Sequence, residues 1–297
     1  MDLLFFAHLF NGLLMVGMPV GLAVFLTRRY RLSWRLWWIG AATFVLSQVG
    51  HIPFNSFLTR LFQIGALPQP PASWHPFFNP VVLGLSAGLF EELSRAAVYA
   101  WWAKDARSWR RGVLLGAGHG GAEAIILGAL VIYGFIQMAA LRYMDLSKVI
   151  PAGQLQQAQL QLSAYWSASW TGSLLGAVER FFTIPCQICL SVLVLQAFIR
   201  RQAGWVALAV LWHAMLDGIS LYLVGVWQGQ PWSAYAVEGV IGIMAVFSVL
   251  FLFALYRSEP EPPPAQPVAE PIPVQSIPPA EISQDLSQEA LDKSKYL

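Results

Sequence analysis

Val81-Val82-Leu83-Gly84-Leu85-Ser86-Ala87-Gly88-Leu89-Phe90-Glu91-Glu92-Leu93-Ser94-Arg95-Ala96-Ala97-Val98-Tyr99-Ala100-Trp101-Trp102-Ala103 is an apolar run with three charges at its centre. Its length meets the roughly 20 residues that a helix needs to cross the hydrocarbon of a bilayer. A charge at mid-bilayer raises the free energy of insertion by roughly 2.5 to 3.5 kcal/mol even on the mildest scale. A helix holding Glu91, Glu92 and Arg95 is therefore stable only where protein, not lipid, covers its charged face. The run predicts a bundle of spanning helices around a polar interior.

The rest of the chain supports that reading. Hydrophobic residues make up 57% and charged residues 11%, with a mean hydropathy of +0.55, whereas soluble domains carry about 25% charged residues. Apolar segments at about 3 to 27, 36 to 58, 81 to 103, 112 to 141, 169 to 199, 204 to 226 and 232 to 256 predict an all-α polytopic membrane helix bundle of about seven transmembrane helices. Arg28, Arg29, Arg31 and Arg35, then Lys104, Arg107, Arg110 and Arg111, then Arg200 and Arg201, and finally Arg257 mark alternate ends of these segments. The other connections hold Arg60, Arg142 and Lys148. Because basic residues are retained in the cytoplasm, the N-terminus is expected outside and the C-terminus inside, in a multi-pass protein of the bacterial cytoplasmic membrane.

Two domains are expected: a membrane domain over 1–257 and a disordered Pro-rich cytoplasmic tail over 258–297, which opens Ser-Glu-Pro-Glu-Pro-Pro-Pro and is too poor in apolar residues to form a core. The five prolines within 59–80 predict an irregular external connection. The amide-rich stretch 153–162, followed by Tyr165, Trp166 and Trp170, predicts a short helix on the outer membrane surface. The first segment lacks the basic leader and cleavage site of a signal peptide and is expected to remain as a helix. Cys186 and Cys189 read as buried packing. A net charge of +2 and the lack of a nucleotide-binding glycine loop give no sign of a nucleic-acid partner; the lipid bilayer is the expected surrounding.

Ionisable residues recur inside other segments: His119 and Glu123, Glu179 and Arg180, His213 and Asp217. Each of the two histidines has a carboxylate at i+4, on the same helix face, a spacing that can orient an imidazole for acid-base chemistry or for metal binding. At about 1.5 Å per residue from the cytoplasmic ends, Arg95, His119 and His213 lie roughly 12 to 14 Å deep, and Glu91, Glu123 and Asp217 roughly 18 to 20 Å. One site in the cytoplasmic half of the membrane follows. Glu179 and Arg180, at roughly 30 Å on the same count, are expected to form a separate structural ion pair. Gly84 and Gly88, and Gly112, Gly116 and Gly120, allow close helix approach. A buried network that merely fixes packing is the competing explanation for the whole set.

Glu91-Glu92-Leu93-Ser94-Arg95 resembles the EExxR motif of the CAAX-protease and bacteriocin-processing superfamily of intramembrane proteases, and His213-Ala214-Met215-Leu216-Asp217 resembles its closing HxxxN/D motif. Gly118-His119-Gly120-Gly121-Ala122-Glu123-Ala124-Ile125 with Glu179-Arg180 is similar to the YhfC family, a relative of the PrsW proteases. Ser47-Gln48 and His51-Ile52-Pro53 fit the same family, and the resemblance covers about residues 1–256. It implies a histidine where this chain has Gln187, a residue that can hydrogen-bond a carbonyl or water but cannot shuttle a proton.

The resemblance implies intramembrane hydrolysis of peptide bonds in a membrane protein or lipidated peptide substrate. The expected mechanism is of the glutamic type without a metal cofactor. Glu91 or Glu92 activates water, His119 and His213 bind it or stabilise the oxyanion, and Arg95, Glu123, Asp217 and Gln187 support them. A zinc metalloprotease with His119, His213 and Glu92 as ligands is the alternative, set second because no HExxH helix is present. A proton-coupled transporter or other non-enzymatic membrane protein is the rival class; it often shows internal repeats and broken helices, neither of which this sequence contains.

Overall fold

A computed structural model describes residues 3–257, and the expected tail over 258–297 lies outside them. The described residues form eight α-helices: α1 (Leu3–Tyr30), α2 (Arg35–Gln63), α3 (His75–Trp101), α4 (Trp109–Leu141), α5 (Ala152–Ser167), α6 (Leu175–Ile199), α7 (Gly204–Val226) and α8 (Ser233–Arg257). The architecture is all-α and polytopic. Five of the helical stretches are long and apolar enough to cross a membrane by composition alone: α1, α4, α7, α8 to Tyr256, and Gly172–Ile199, which contains α6. α2 and α3, of 29 and 27 residues, have the length as well, but α2 carries Gln48, His51 and Asn55 and α3 its three charges.

The connection expected over 59–80 is shorter than proline content suggests. α2 continues to Gln63 and α3 begins at His75, because Pro76 falls in the first turn, where a missing N–H leaves no bond unmade. The surface helix expected from the amide-rich stretch is α5, which buries none of its residues. Its aromatic end docks: the Tyr165 ring stacks on His8 at 4.0 Å, and Trp166 Nε1 donates to the Met138 carbonyl at 3.2 Å. Cys186 and Cys189 are free and buried.

Contacts between connections sort the helix ends onto two sides. On one side, Arg35 pairs with Asp105 at 3.1 Å and donates to the Trp102 carbonyl, Arg110 lies over the Tyr30 ring, and Arg107 lies over Phe198. That side gathers the ends of α1, α3 and α6 with the start of α2. The opposite side gathers the start of α1, the end of α4, α5 and the start of α8, where Tyr235 meets Thr171 at 2.7 Å. α1 and α6 are closed on the basic side by residues in the left-handed region, Arg31 at φ 53° and Arg201 at φ 56°. Each lets the chain bond back across the last turn, Leu32 N–H to Thr27 O at 3.1 Å and Gln202 N–H to Ala197 O at 3.1 Å.

α4 is the central post, with residues 112–122 all buried between α1, α2 and α6. Its approach to α2 is backbone on backbone: a Cβ at Gly118 would stand 2.0 Å from the Trp37 carbonyl oxygen. α3 packs along α7 in the same manner, and a Cβ at Gly88 would stand 2.6 Å from the Val210 carbonyl oxygen. Small residues at such crossings let dispersion and close packing hold helices that lipid cannot drive together. The two crossings bring the polar faces of α2, α3, α4 and α7 to one point.

Candidate active site

α3 contributes Glu91, Glu92 and Arg95, α4 contributes His119, and α7 contributes His213; all five are buried. Glu91 occupies the middle. Its Oε2 lies 2.9 Å from His119 Nε2, 3.9 Å from His213 Nε2 and 3.8 Å from the Arg95 guanidinium. Its Oε1 accepts a hydrogen bond from Gln48 Nε2 at 3.0 Å. The two imidazoles therefore face a single carboxylate oxygen. His119 is also steadied by the Phe44 ring, edge to face at 5.4 Å.

Glu92 has a different place, although it is adjacent in sequence. Its Oε1 accepts from Arg95 and from His213 Nδ1, the latter at 2.6 Å. Successive residues on a helix point about 100° apart, so Glu91 fronts the point between the histidines and Glu92 backs His213. With Nδ1–H donated to Glu92, His213 Nε2 keeps its lone pair and faces the carboxylates of Glu91 and Asp217. Asp217 Oδ2 stands 3.5 Å from His213 Nε2, with its side chain 42% exposed. Behind Arg95, Tyr99 bonds Ser191 at 2.9 Å.

Glu123 does not orient His119. It accepts from Arg180 at 2.5 Å and from Gln187 Nε2 at 3.0 Å, while Gln187 Oε1 accepts from Arg95. Arg180 also holds Glu179. The Glu179–Arg180 pair is thus not separate from the rest, as depth counting suggested. It is joined to the Glu92–Arg95 pair through Glu123 and Gln187. A cavity of about 180 Å³ runs along this chain of groups, bordered by Glu123, Glu179, Arg180, Gln187, His213 and Asp217. Arg180 and Glu123 meet because α4 and α6 pack antiparallel, with Gly116 against Ile188 and Gly120 against Ile184, a register that carries position 123 to the level of 180.

From sequence, Gln48 and His51 stood only as positions that fit the family, with His51 open between approaching the site and packing in the core, and Asn55 and Ser86 had no role. The signal was present, since polar residues at 48, 51 and 55 repeat at the three-to-four spacing of one helix face inside a segment otherwise apolar. Among the described residues no group of three or more His, Cys, Asp or Glu side chains stands as a ready-made metal site. The donor chemistry of His119 Nε2, His213 Nε2 and Glu91 Oε2 nevertheless fits a divalent cation, two imidazole nitrogens and one carboxylate being a known zinc-ligand set. The Glu92 carboxylate on His213 Nδ1 is the outer partner such a ligand ordinarily has.

The fold and this buried set define a multi-pass helical membrane protein built around a carboxylate–imidazole centre. Over residues 14–241 the chain matches the family described as YhfC intramembrane metalloprotease. It belongs to that family. Among curated proteins, the "Uncharacterized membrane protein YhfC" of Bacillus subtilis (strain 168) is 30% identical over 258 residues, which cover 83% of this chain and 94% of that protein. No solved structure matches.

Proposed function

We propose that the chain is a zinc-dependent intramembrane endopeptidase that holds the metal with His119, His213 and Glu91 and cleaves a membrane-embedded protein or lipidated peptide. One observation carries this reading: both Nε2 atoms face Glu91 Oε2, while Glu92 takes the Nδ1–H of His213. The family description, a metalloprotease, agrees with it. It exchanges the two glutamates relative to the zinc set expected from sequence, with Glu91 in place of Glu92 as ligand. Glu92 is sealed between Arg95 and His213 and has no exposed surface.

A bound zinc would supply Lewis acidity and lower the pKa of a coordinated water. The chain's own groups do the remainder. Glu92 and Arg95 fix the His213 ring and its tautomer. Asp217, which of the carboxylates bordering the cavity is the one beside His213 Nε2, takes the proton released in the attack. In this reading all seven long helices cross the bilayer with the N-terminus outside, so the side bearing Arg28, Arg35, Arg107 and Arg200 is cytoplasmic. In the same reading the membrane domain ends at residue 257.

The test is metal content by elemental analysis together with cleavage of transmembrane reporter peptides in proteoliposomes. His119→Ala, His213→Ala and Glu91→Gln are expected to lose both metal and cleavage, and Asp217→Asn to keep metal while losing most of the cleavage. A Glu91→Gln protein that holds wild-type zinc yet is inactive would return Glu91 to the role of general base. Wild-type cleavage in a protein stripped of metal would sink the zinc reading.

A further inference from the structure

Gln48, His51, Asn55 and Ser86 form an unbroken hydrogen-bonded chain that ends on Glu91. Gln48 Nε2 donates to Glu91 Oε1 at 3.0 Å, and Gln48 Oε1 lies 3.3 Å from His51 Nδ1. On the far side of the ring, Asn55 Nδ2 lies 2.8 Å from His51 Nε2, and Ser86 donates to Asn55 Oδ1 at 3.0 Å. Ser86 Oγ also lies 3.1 Å from His51 Nε2 and 3.0 Å from the Leu83 carbonyl oxygen. An amide N–H from Asn55 makes His51 Nε2 an acceptor, which leaves the proton on Nδ1. Nδ1–H then engages the Gln48 carbonyl oxygen, and this turns the amide so that its N–H₂ faces the carboxylate.

The consequence for Glu91 is geometric. A carboxylate can offer either oxygen, or both, to a cation. With Oε1 held by Gln48, only Oε2 remains for the point that His119 and His213 face. α2 reaches this position because it crosses α4 backbone on backbone, with a Cβ at Gly40 standing 2.0 Å from the Leu115 carbonyl oxygen. His51 is further braced by the Phe90 ring at 5.8 Å.

We infer that Gln48 is a positioning residue that fixes Glu91 as a one-oxygen ligand, and that His51, held by Asn55 and Ser86, sets the orientation of the Gln48 amide. The inference rests on the proposed use of Glu91 at the centre. Outer partners of this kind alter metal affinity or activity by roughly 10- to 100-fold when removed. A role confined to packing would lower the stability of the metal-free protein without a selective effect on zinc.

The experiment measures zinc affinity of the full chain in nanodiscs by competition with a chromophoric chelator, beside thermal unfolding of the metal-free protein. Gln48→Leu is expected to weaken zinc binding by roughly 10- to 100-fold. His51→Ala weakens it in the same direction, and His51→Asn, whose amide N–H occupies the place of Nδ1–H, restores it. Wild-type affinity in Gln48→Leu, or equal affinities for His51→Ala and His51→Asn, would overturn the inference. A wild-type protein that binds no zinc would instead remove the metal reading, and the chain is then judged on reporter-peptide cleavage. There a lower kcat at unchanged KM in Gln48→Leu and His51→Ala, recovered in His51→Asn, supports positioning; unchanged kcat in Gln48→Leu rejects it.

Discussion

Glu91 and Glu92 are indistinguishable by type and by neighbourhood in the chain, and only their directions separate them. Glu91 meets two imidazoles and an amide, whereas Glu92 closes on Arg95 and His213 with no exposed surface. Breaking a buried ion pair from one side costs about 3 to 5 kcal/mol, because the remaining charge is left without its partner. Glu92→Gln is therefore expected to lower thermal stability by that order, measured as unfolding in detergent, whereas Glu91→Gln acts chiefly on metal and cleavage. Equal stability losses in the two proteins would contradict the division of roles. The i+4 acids show how far sequence spacing reaches. Asp217 does stand beside His213, but Glu123 turns from His119 to Arg180 and Gln187. Spacing selects the helix face; which neighbour captures a flexible side chain depends on the charges that other helices present.

At the level of elements, every long helix was legible as an apolar run, and α7 coincides with its expected bounds of 204 to 226. The ends that moved did so through local backbone chemistry, as at Pro76, which starts α3 instead of excluding it. The glycines on α3 and α4 pointed to close approach but not to which helix would approach. Gly118 meets α2 and Gly88 meets α7. Overpacking a tight contact costs about 1 to 3 kcal/mol and sometimes more. Gly118→Val is predicted to exceed the upper figure, since the obstructing atom is a backbone carbonyl that cannot rotate away. Loss of folded protein by size-exclusion chromatography after extraction checks this; a well-folded Gly118→Val protein with unchanged melting would show that α2 can yield.

For the whole molecule, counting depth along each helix placed Arg95, His119 and His213 at one level and Glu91 about a turn beyond, and the head groups of Glu91, His119 and His213 do meet. The same count separated Glu179 and Arg180 from that level, because it measured each helix from its own assumed end, whereas the packing of Gly116 on Ile188 and Gly120 on Ile184 sets position 123 beside 180. The two-sided sorting of the connections carries the orientation argument. With the basic side in the cytosol, Gln157→Cys on α5 is expected to react with an impermeant maleimide from outside intact cells, and Lys104→Cys only after permeabilisation. Labelling of Lys104→Cys in intact cells would invert the proposed topology.

Arg31 and Arg201 occupy backbone positions where glycine would be relieved of about 1 kcal/mol or more of steric conflict. In the proposed topology both lie where a positive charge helps decide, while the nascent chain is being inserted, which loops stay behind. Glycine at either place would make a firmer finished molecule and a less certain birth. In the proposed topology the strained turns set two moments in the life of the protein against each other: a fold slightly weaker at equilibrium, and threading into the membrane the right way round.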